Sequence, residues 1–129
     1  MLVLAVFAGG CLGGGLRYAV QATWPTPPDG FPAPVLTVNL VGCFLLAVLV
    51  AVLRTTARPA PWVRPLLGTG VCGALTTFSF VVVAAVQLMA HGRWTTATGY
   101  LVATFAGGLL AARAGLATGR ALPAGSRPA

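Results

Sequence analysis

The chain has 129 residues, of which 57% are hydrophobic and only 7% are charged. A water-soluble globule of this length needs far more polar surface, so the composition excludes an ordinary soluble domain. The net charge is +7, from eight arginines against a single acid, Asp29. In a soluble protein this balance favours nucleic acid as a partner, but in a membrane protein basic residues set orientation, so no nucleic acid is expected.

Four stretches are long and apolar enough to cross a bilayer as helices, which takes about 20 residues each. Three of them contain long runs without a charged residue, 31–53, 65–90 and 94–112, and the N-terminal one is apolar and glycine-rich up to Arg17. The prediction is an all-α integral membrane protein with one transmembrane domain over residues 1–118 and a disordered tail over residues 119–129. The four predicted spans cover about residues 2–24, 33–54, 63–90 and 94–117.

The arginines indicate the orientation of the chain. Six of them fall on one side of the predicted spans and two fall toward the other side. Because translocated loops avoid basic residues, both termini are predicted to be cytoplasmic, in a multi-pass protein of the inner (plasma) membrane. The six are Arg54, Arg58, Arg64, Arg113, Arg120 and Arg127, and the two are Arg17 and Arg93.

Small residues recur at four-residue spacing in the first and fourth spans. Helices in lipid approach closely through such faces, and a long stripe favours packing over the general abundance of glycine in membrane helices. Both stripes are therefore predicted to be contact faces. They are Ala5, Gly9 and Gly13, beside Gly10 and Gly14, in the first span, and Gly99, Ala103, Gly107, Ala111 and Gly115 in the fourth.

The third span carries a polar run, Thr76, Thr77 and Ser79, near its middle and shortly after Gly73. In a continuous helix these hydroxyls would bond back to the helix's own carbonyls. Alternatively, the helix is broken near residues 73–77, and the freed carbonyls must be buried in protein or satisfied by an ion. Composition does not choose between these two structures.

The other polar groups predicted to lie within the membrane are Asn39 in the second span and Tyr100 with Thr104 in the fourth. Tyr100 and Thr104 are four residues apart and so share a helix face. Amide and hydroxyl groups donate hydrogen bonds to anions. Phe78 and Phe80 add ring edges, which are electropositive. The pattern is typical of an uncharged polar path for an anion.

Several function classes lack their required residues. A proton-coupled exporter needs a titratable group inside the membrane, but Asp29 lies in the proline-rich connection after the first span and His91 at the end of the third. A catalytic Ser, His and acid set, a phosphate-binding glycine loop and a metal-binding His pair are also missing. The chain is therefore predicted not to be an enzyme.

Three segments resemble the Fluc (CrcB-type) fluoride channels, which are small four-helix proteins that form antiparallel dual-topology dimers. Residues 9–18 (GGCLGGGLRY) are similar to the family's glycine-rich first helix with its closing arginine. Residues 38–44 (VNLVGCF) resemble its Val-Asn-x-x-Gly-x-Phe pattern. Residues 70–79 (GVCGALTTFS), the most specific segment, resemble its broken third helix. With the fourth span, the resemblance covers nearly the whole chain.

The resemblance implies a passive channel that exports fluoride and so lowers its cytoplasmic concentration. Asn39 would be a pore donor, Phe78 would be the first of two phenylalanines whose ring edges meet fluoride, and the fourth span would supply a polar track. The residues predicted to line the fluoride pore are Asn39, Phe78, Ser79, Phe80, Tyr100 and Thr104.

The resemblance also implies a structural sodium ion at the centre of the dimer. The backbone carbonyls of Gly73 and Thr76 from both subunits would hold it. Arg17 would lie toward a pore vestibule, while its type and place near a helix end equally fit an interface anchor whose charged head reaches the lipid headgroups. Both alternatives remain open at this point.

The chain departs from the family pattern at several positions. Val81 occupies the place of the second pore phenylalanine, Gly108 that of a second hydroxyl in the fourth helix, and Pro34-Val35 that of a Gly-Thr pair. Together with the bias of the arginines, these departures favour a heterodimer with an oppositely oriented paralogue over a homodimer. The rival functions are a small multidrug-type exporter, which should carry an intramembrane Glu, and a non-conducting partner subunit.

Overall fold

The computed structural model describes residues 1–122, and all of the regular structure in that range is helical. Four segments are long and apolar enough to span a membrane, which confirms the predicted four-span, all-α class. They are α1 (Leu2–Thr23), α2 (Ala33–Thr55), the third span (Arg64–Ala90) and α5 (Trp94–Ala121). The third span consists of a π-helix, here π1 (Arg64–Cys72), then α3 (Gly73–Leu75) and α4 (Ser79–Ala90).

The observed helix bounds differ from the predicted ones mainly at the end of the fourth span. There α5 continues to Ala121, whereas the predicted helix ends at about residue 117 and the predicted tail begins at 119. Residues 123–129, which hold the rest of that predicted tail and Arg127, lie outside the described residues.

The glycine face of α1 packs against the start of the third span. A Cβ atom on Gly9 would overlap the Leu66 carbonyl oxygen, and one on Gly13 would overlap the Val71 carbonyl oxygen. Gly70 faces Gly9 in return, because its own Cβ would lie 2.8 Å from the Gly9 Cα. Backbones therefore touch here, as close packing in lipid requires. Gly10 and Gly14 have no such neighbour within 4 Å among the described residues.

The fourth span packs along α2, with which it runs parallel. Gly107 contacts Leu40 and Gly115 contacts the Phe44 backbone, so these two members of the predicted stripe are contact residues. Gly99 is not, because no atom outside its own neighbourhood lies within 4 Å of its Cβ position. Four residues turn a helix by about 400°, so each step drifts about 40° and the two ends of the stripe face different directions.

The parallel arrangement puts the C-terminal ends of α2 and α5 on one side of the bundle. Gly119 of α5 contacts Val48 and Ala51 in the last turns of α2. The basic residues in the last turns of these helices and in the connection that follows α2 therefore share that side. They are Arg54, Arg58, Arg64 and Arg120, whereas Arg113 lies eight residues before the end of α5.

A tight turn joins α4 to α5. Gly92 has φ +73°, and the N–H groups of Gly92 and Arg93 donate to the carbonyls of Met89 and Leu88. This is the Schellman pattern, which needs a left-handed residue after the helix and therefore favours glycine. The turn brings α5 back against α4, and Val81, Leu88 and Tyr100 form the buried core between them.

Candidate ion site at the break in the third span

The third span is interrupted near the middle of the membrane. The helix α3 ends at Leu75, Thr76 is extended (φ −81°, ψ 153°), and α4 begins at Ser79. Thr76 lies twelve residues after Arg64 and fourteen before Ala90, so two half-helices meet at about the midpoint of the span. The carbonyls that end one half-helix and the N–H groups that begin the other are therefore both presented here.

Asn39 of α2 forms hydrogen bonds with both the N–H and the carbonyl of one residue in the break, Thr77. Its Nδ2 donates to the Thr77 carbonyl at 2.9 Å, and the Thr77 N–H donates to its Oδ1 at 2.7 Å. In a continuous helix that N–H would bond to the Gly73 carbonyl four residues earlier. Thr77 thus loses one hydrogen bond within its own span and gains two to Asn39 of α2, whose side chain is buried (9% exposed).

Gly42, one turn after Asn39, lets α2 approach the break. A Cβ atom at this position would overlap the Cγ2 methyl of Thr76 and lie 3.9 Å from Leu75. Glycine is therefore required by contact here, whereas the sequence indicated this residue only as part of the 38–44 segment. A glycine one turn after a buried polar residue is the signal that could have identified it.

The carbonyls of Gly73 and Thr76 are the oxygen atoms left by the break. Among the described residues, no backbone N–H donates to the Gly73 carbonyl, because Thr77 is taken by Asn39. The Thr76 carbonyl accepts only a long contact, 3.4 Å, from Nη1 of Arg17. A carbonyl has two lone pairs, and Na⁺ sites in membrane proteins use such carbonyls at the ends of half-helices. These two residues fit the oxygen ligands that a hard cation needs.

The start of α4 presents hydrogen-bond donors instead. The first N–H groups of a helix have no partner within it, and at this end Phe80 N–H donates to the Thr77 hydroxyl at 3.4 Å. The Thr77 and Ser79 hydroxyls are 3.2 Å apart and exposed in the single chain. A helix N-terminus also carries a partial positive charge. This end of the break therefore suits an anion.

Arg17 lies at the break and not at the membrane interface. Its guanidinium contacts the carbonyl of Thr76, near the middle of the third span, and its Cζ is 5.8 Å from the centre of the Phe80 ring. The interface-anchor interpretation does not fit this position. A half-buried arginine in mid-membrane makes the surroundings of the break electropositive.

The two phenylalanines, Phe78 and Phe80, differ in exposure. Phe78 is 66% exposed and Phe80 is 45% exposed. Val81, where the resemblance implies a second pore phenylalanine, is only 1% exposed and packs in the core beside Leu88 and Tyr100. In this chain that position belongs to the interior of the subunit.

Tyr100 and Thr104 lie in α5 without a hydrogen bond to the residues of the break. Tyr100 is fully buried, its ring meets that of Phe31 edge to face at 5.7 Å, and its hydroxyl has no hydrogen-bond partner among the described residues. Thr104 Oγ1 donates to the Tyr100 carbonyl at 2.8 Å, within its own helix. The structure therefore brings Arg17, Asn39 and the 76–79 segment together, but it does not bond this pair to them.

Comparison with known proteins gives consistent matches over most of the chain. The family described as "CrcB-like protein, Camphor Resistance (CrcB)" matches residues 4–116. The chain is 44% identical over 107 residues to "Fluoride-specific ion channel FluC 1" of Mycolicibacterium paratuberculosis, covering 83% of this chain and 81% of that protein. It is 43% identical over 115 residues to "Fluoride-specific ion channel FluC 2" of Listeria monocytogenes, covering 89% and 88%. On these matches, the chain belongs to the CrcB family.

Proposed function

We propose that this chain is a subunit of a fluoride-selective channel, not an enzyme, and that it lets fluoride leave the cytoplasm down its gradient. We take the identity of the ion from the names of its relatives, which are fluoride-specific ion channels. The observation that carries the proposal is the convergence of Arg17, the N-terminus of α4 and the Thr77 and Ser79 hydroxyls on one break in mid-membrane. These groups are donors or cations, and no carboxylate side chain occurs in any of the four spans.

Fluoride is small and strongly hydrated, so a selective pore must replace its water by closely spaced donors. Amide and hydroxyl groups achieve this without holding the ion as tightly as a direct arginine contact. Arg17 therefore acts at a distance, by raising the local anion concentration. Its own donors already face a carbonyl and an aromatic ring.

The same break has carbonyls that fit a structural sodium ion. The Gly73 carbonyl lacks its helical partner, and the Thr76 carbonyl retains a lone pair beside its long contact with Arg17. When bound, the ion would satisfy the lone pairs of these oxygens, which otherwise lack partners within the membrane. Asn39 supports this arrangement because it keeps the Thr77 N–H away from the Gly73 carbonyl.

The functional unit is an antiparallel dual-topology dimer. Hydroxyls and freed carbonyls in mid-membrane do not face lipid unless they are satisfied, so the exposed polar groups of the break need a protein partner. The partner is either a second copy or an oppositely oriented paralogue. The predominance of arginine on one side favours the paralogue, together with a plasma-membrane location and cytoplasmic termini.

A second candidate is a non-conducting partner subunit, which the burial of Val81 and the absent hydroxyl at Gly108 favour. The multidrug-type exporter has no such support, because the spans carry no glutamate.

Fluoride efflux from liposomes, followed with a fluoride electrode and with chloride as the control ion, tests the proposal. We expect fluoride flux that exceeds chloride flux when this chain is reconstituted with its paralogue. Flux from the chain alone would show that a homodimer conducts. The channel assignment fails if fluoride does not flow in either preparation.

A further inference from the structure

A cleft opens between the second half of α2 and the start of the third span. Its volume is about 710 Å³, which falls in the usual range of ligand pockets. One wall consists of apolar side chains of α2, and the other consists of the connection after α2 and of π1. The residues that define it are Leu46, Leu49, Leu53 and Arg54 on α2, and Arg64 and Gly68 on π1.

Gly68 leaves the floor of the cleft without a side chain. A Cβ atom there would lie 3.6 Å from Leu49 Cδ2 and 3.7 Å from Leu46 Cδ1, which is ordinary contact distance. The space is therefore bounded by leucine side chains and a bare stretch of backbone. A long unbranched hydrocarbon fits such a surface, whereas a polar ligand would leave its groups unpaired.

Two arginines lie at the mouth of this apolar cleft. Arg54 and Arg64 both line it and are exposed. The one carboxylate side chain of the sequence, Asp29, precedes the start of α2. It is thus separated from Arg54 by the length of that helix, about 33 Å at 1.5 Å per residue. The positive charge at the cleft has no carboxylate side chain of this subunit to balance it.

The cleft lies at the level where lipid headgroups begin. Arg54 lies at the end of the second membrane span, and Arg64 is the first residue of the third. Trp62 in the connection is 52% exposed, as aromatic residues at the interface commonly are. Basic pockets between membrane helices at this depth bind anionic headgroups.

We propose that this cleft binds an anionic phospholipid, with the phosphate at Arg54 and Arg64 and one acyl chain along Leu46, Leu49 and Leu53. A second copy of the chain is a poorer occupant by charge. It carries eight basic residues against one acid, so its net charge of +7 disfavours it at a basic cleft. An anionic lipid supplies both the phosphate and the hydrocarbon.

Native mass spectrometry of the detergent-purified full chain tests this proposal, with phosphatidylglycerol or phosphatidylcholine added at matched ratios. We expect phosphatidylglycerol to bind at least ten-fold more tightly than phosphatidylcholine. The double variant Arg54→Gln/Arg64→Gln should lose on the order of ten-fold in apparent affinity for phosphatidylglycerol. The matched control, Arg113→Gln/Arg120→Gln, removes the same charge from two exposed residues that do not line the cleft, and should lose less than about two-fold.

A steric variant separates a lipid from a free phosphate. Gly68→Leu fills the floor of the cleft without changing its charge, and should also weaken phosphatidylglycerol binding by about ten-fold, while inorganic phosphate should not displace the lipid. The proposal is overturned if the two arginine pairs lose affinity equally, if Gly68→Leu binds as the unmodified chain does, or if both lipids bind alike.

Discussion

Asn39 acts on the backbone of a different helix from its own. Its carboxamide holds the N–H and the carbonyl of Thr77, so the break is maintained by one side chain of α2. Both hydrogen bonds are partly buried, which strengthens them and raises the cost of leaving either group unpaired. Asn39 is thus a positioning residue for the break, in addition to its proposed place along the pore.

Asn39→Ala removes both partners of Thr77. We expect the free energy of unfolding, measured by titration with a denaturing detergent, to fall by about 1–3 kcal/mol, because a buried N–H and a carbonyl lose their partners. Fluoride flux should be lost as well. Thr37→Ala is the control, since Thr37 is exposed on the same helix, and should change stability by less than about 0.5 kcal/mol. Unchanged stability of Asn39→Ala would contradict the positioning role.

Two substitutions of Arg17 separate the effect of its charge on fluoride flux from the effect of its guanidinium geometry. Glutamine at this position keeps amide donors but is neutral and shorter, whereas lysine keeps the charge. We expect fluoride flux to fall by about ten-fold in Arg17→Gln and to be largely kept in Arg17→Lys. Arg93→Gln, outside the spans, controls for net charge. Equal losses in the glutamine and lysine variants would show that the guanidinium geometry matters and its charge does not.

Val81 occupies a filled part of the subunit core. Val81→Phe should therefore lower the free energy of unfolding by about 1–3 kcal/mol through overpacking, without raising fluoride flux. Val82→Phe is the matched control, because Val82 is 44% exposed and has room for the ring. A gain of flux in Val81→Phe with unchanged stability would show that the position does face a pore.

At the scale of helices, two close contacts set the geometry of the break. Gly9 and Gly13 let α1 pack closely against π1. This packing places Arg17, which is on α1, beside Thr76. Gly42 lets α2 approach Thr76 closely, so that Asn39 on the same helix can reach the Thr77 backbone. The interrupted segment is thus held between two helices whose approach depends on missing side chains.

Neighbouring glycines of α1 allow a direct test of this contact. Gly13→Ala would place a methyl group against the Val71 carbonyl, and we expect a lower midpoint of thermal unfolding and reduced flux. Gly14→Ala, which meets nothing within 4 Å in the subunit, should be neutral or slightly stabilising, since alanine favours helix over glycine by about 1 kcal/mol. Similar losses from both variants would mean that close contact with π1 is not the cause.

At the scale of the whole molecule, the proposed sodium ion and the proposed dimer depend on each other. The Gly73 residue is exposed in the single chain, so its carbonyl needs a partner or an ion when it lies in lipid. An ion shared by two subunits would satisfy these carbonyls and stabilise the dimer by linkage.

Replacing Na⁺ with N-methylglucamine should therefore lower thermal stability and the dimer fraction together. At Na⁺ about 100-fold above its dissociation constant, the ion contributes about 2.7 kcal/mol. Differential scanning fluorimetry and size-exclusion chromatography in the two buffers measure these effects without any flux assay, with K⁺ at equal ionic strength as control. Identical melting and dimer fractions in all three buffers would argue against the site.

Much of the architecture could be predicted from the sequence, because hydropathy decides which segments can enter lipid. Long apolar runs with few charges determined the number of spans, and the observed bounds are close to the predicted ones. Spacing also indicated that Gly9, Gly13 and Gly115 are contact residues. The 70–79 and 38–44 segments pointed to the family because their order of small and polar residues is unusual within a span.

Only the tertiary structure decided how the polar residues are used. Helical periodicity places Asn39 on a face but does not state that it bonds to Thr77, a residue 38 positions away in the chain. It likewise left Arg17 undecided between interface and interior, and it did not indicate π1 or the burial of Val81. The reason is physical: transfer into lipid depends on each segment's own composition, whereas hydrogen bonds and close contacts depend on which segments the packing brings together.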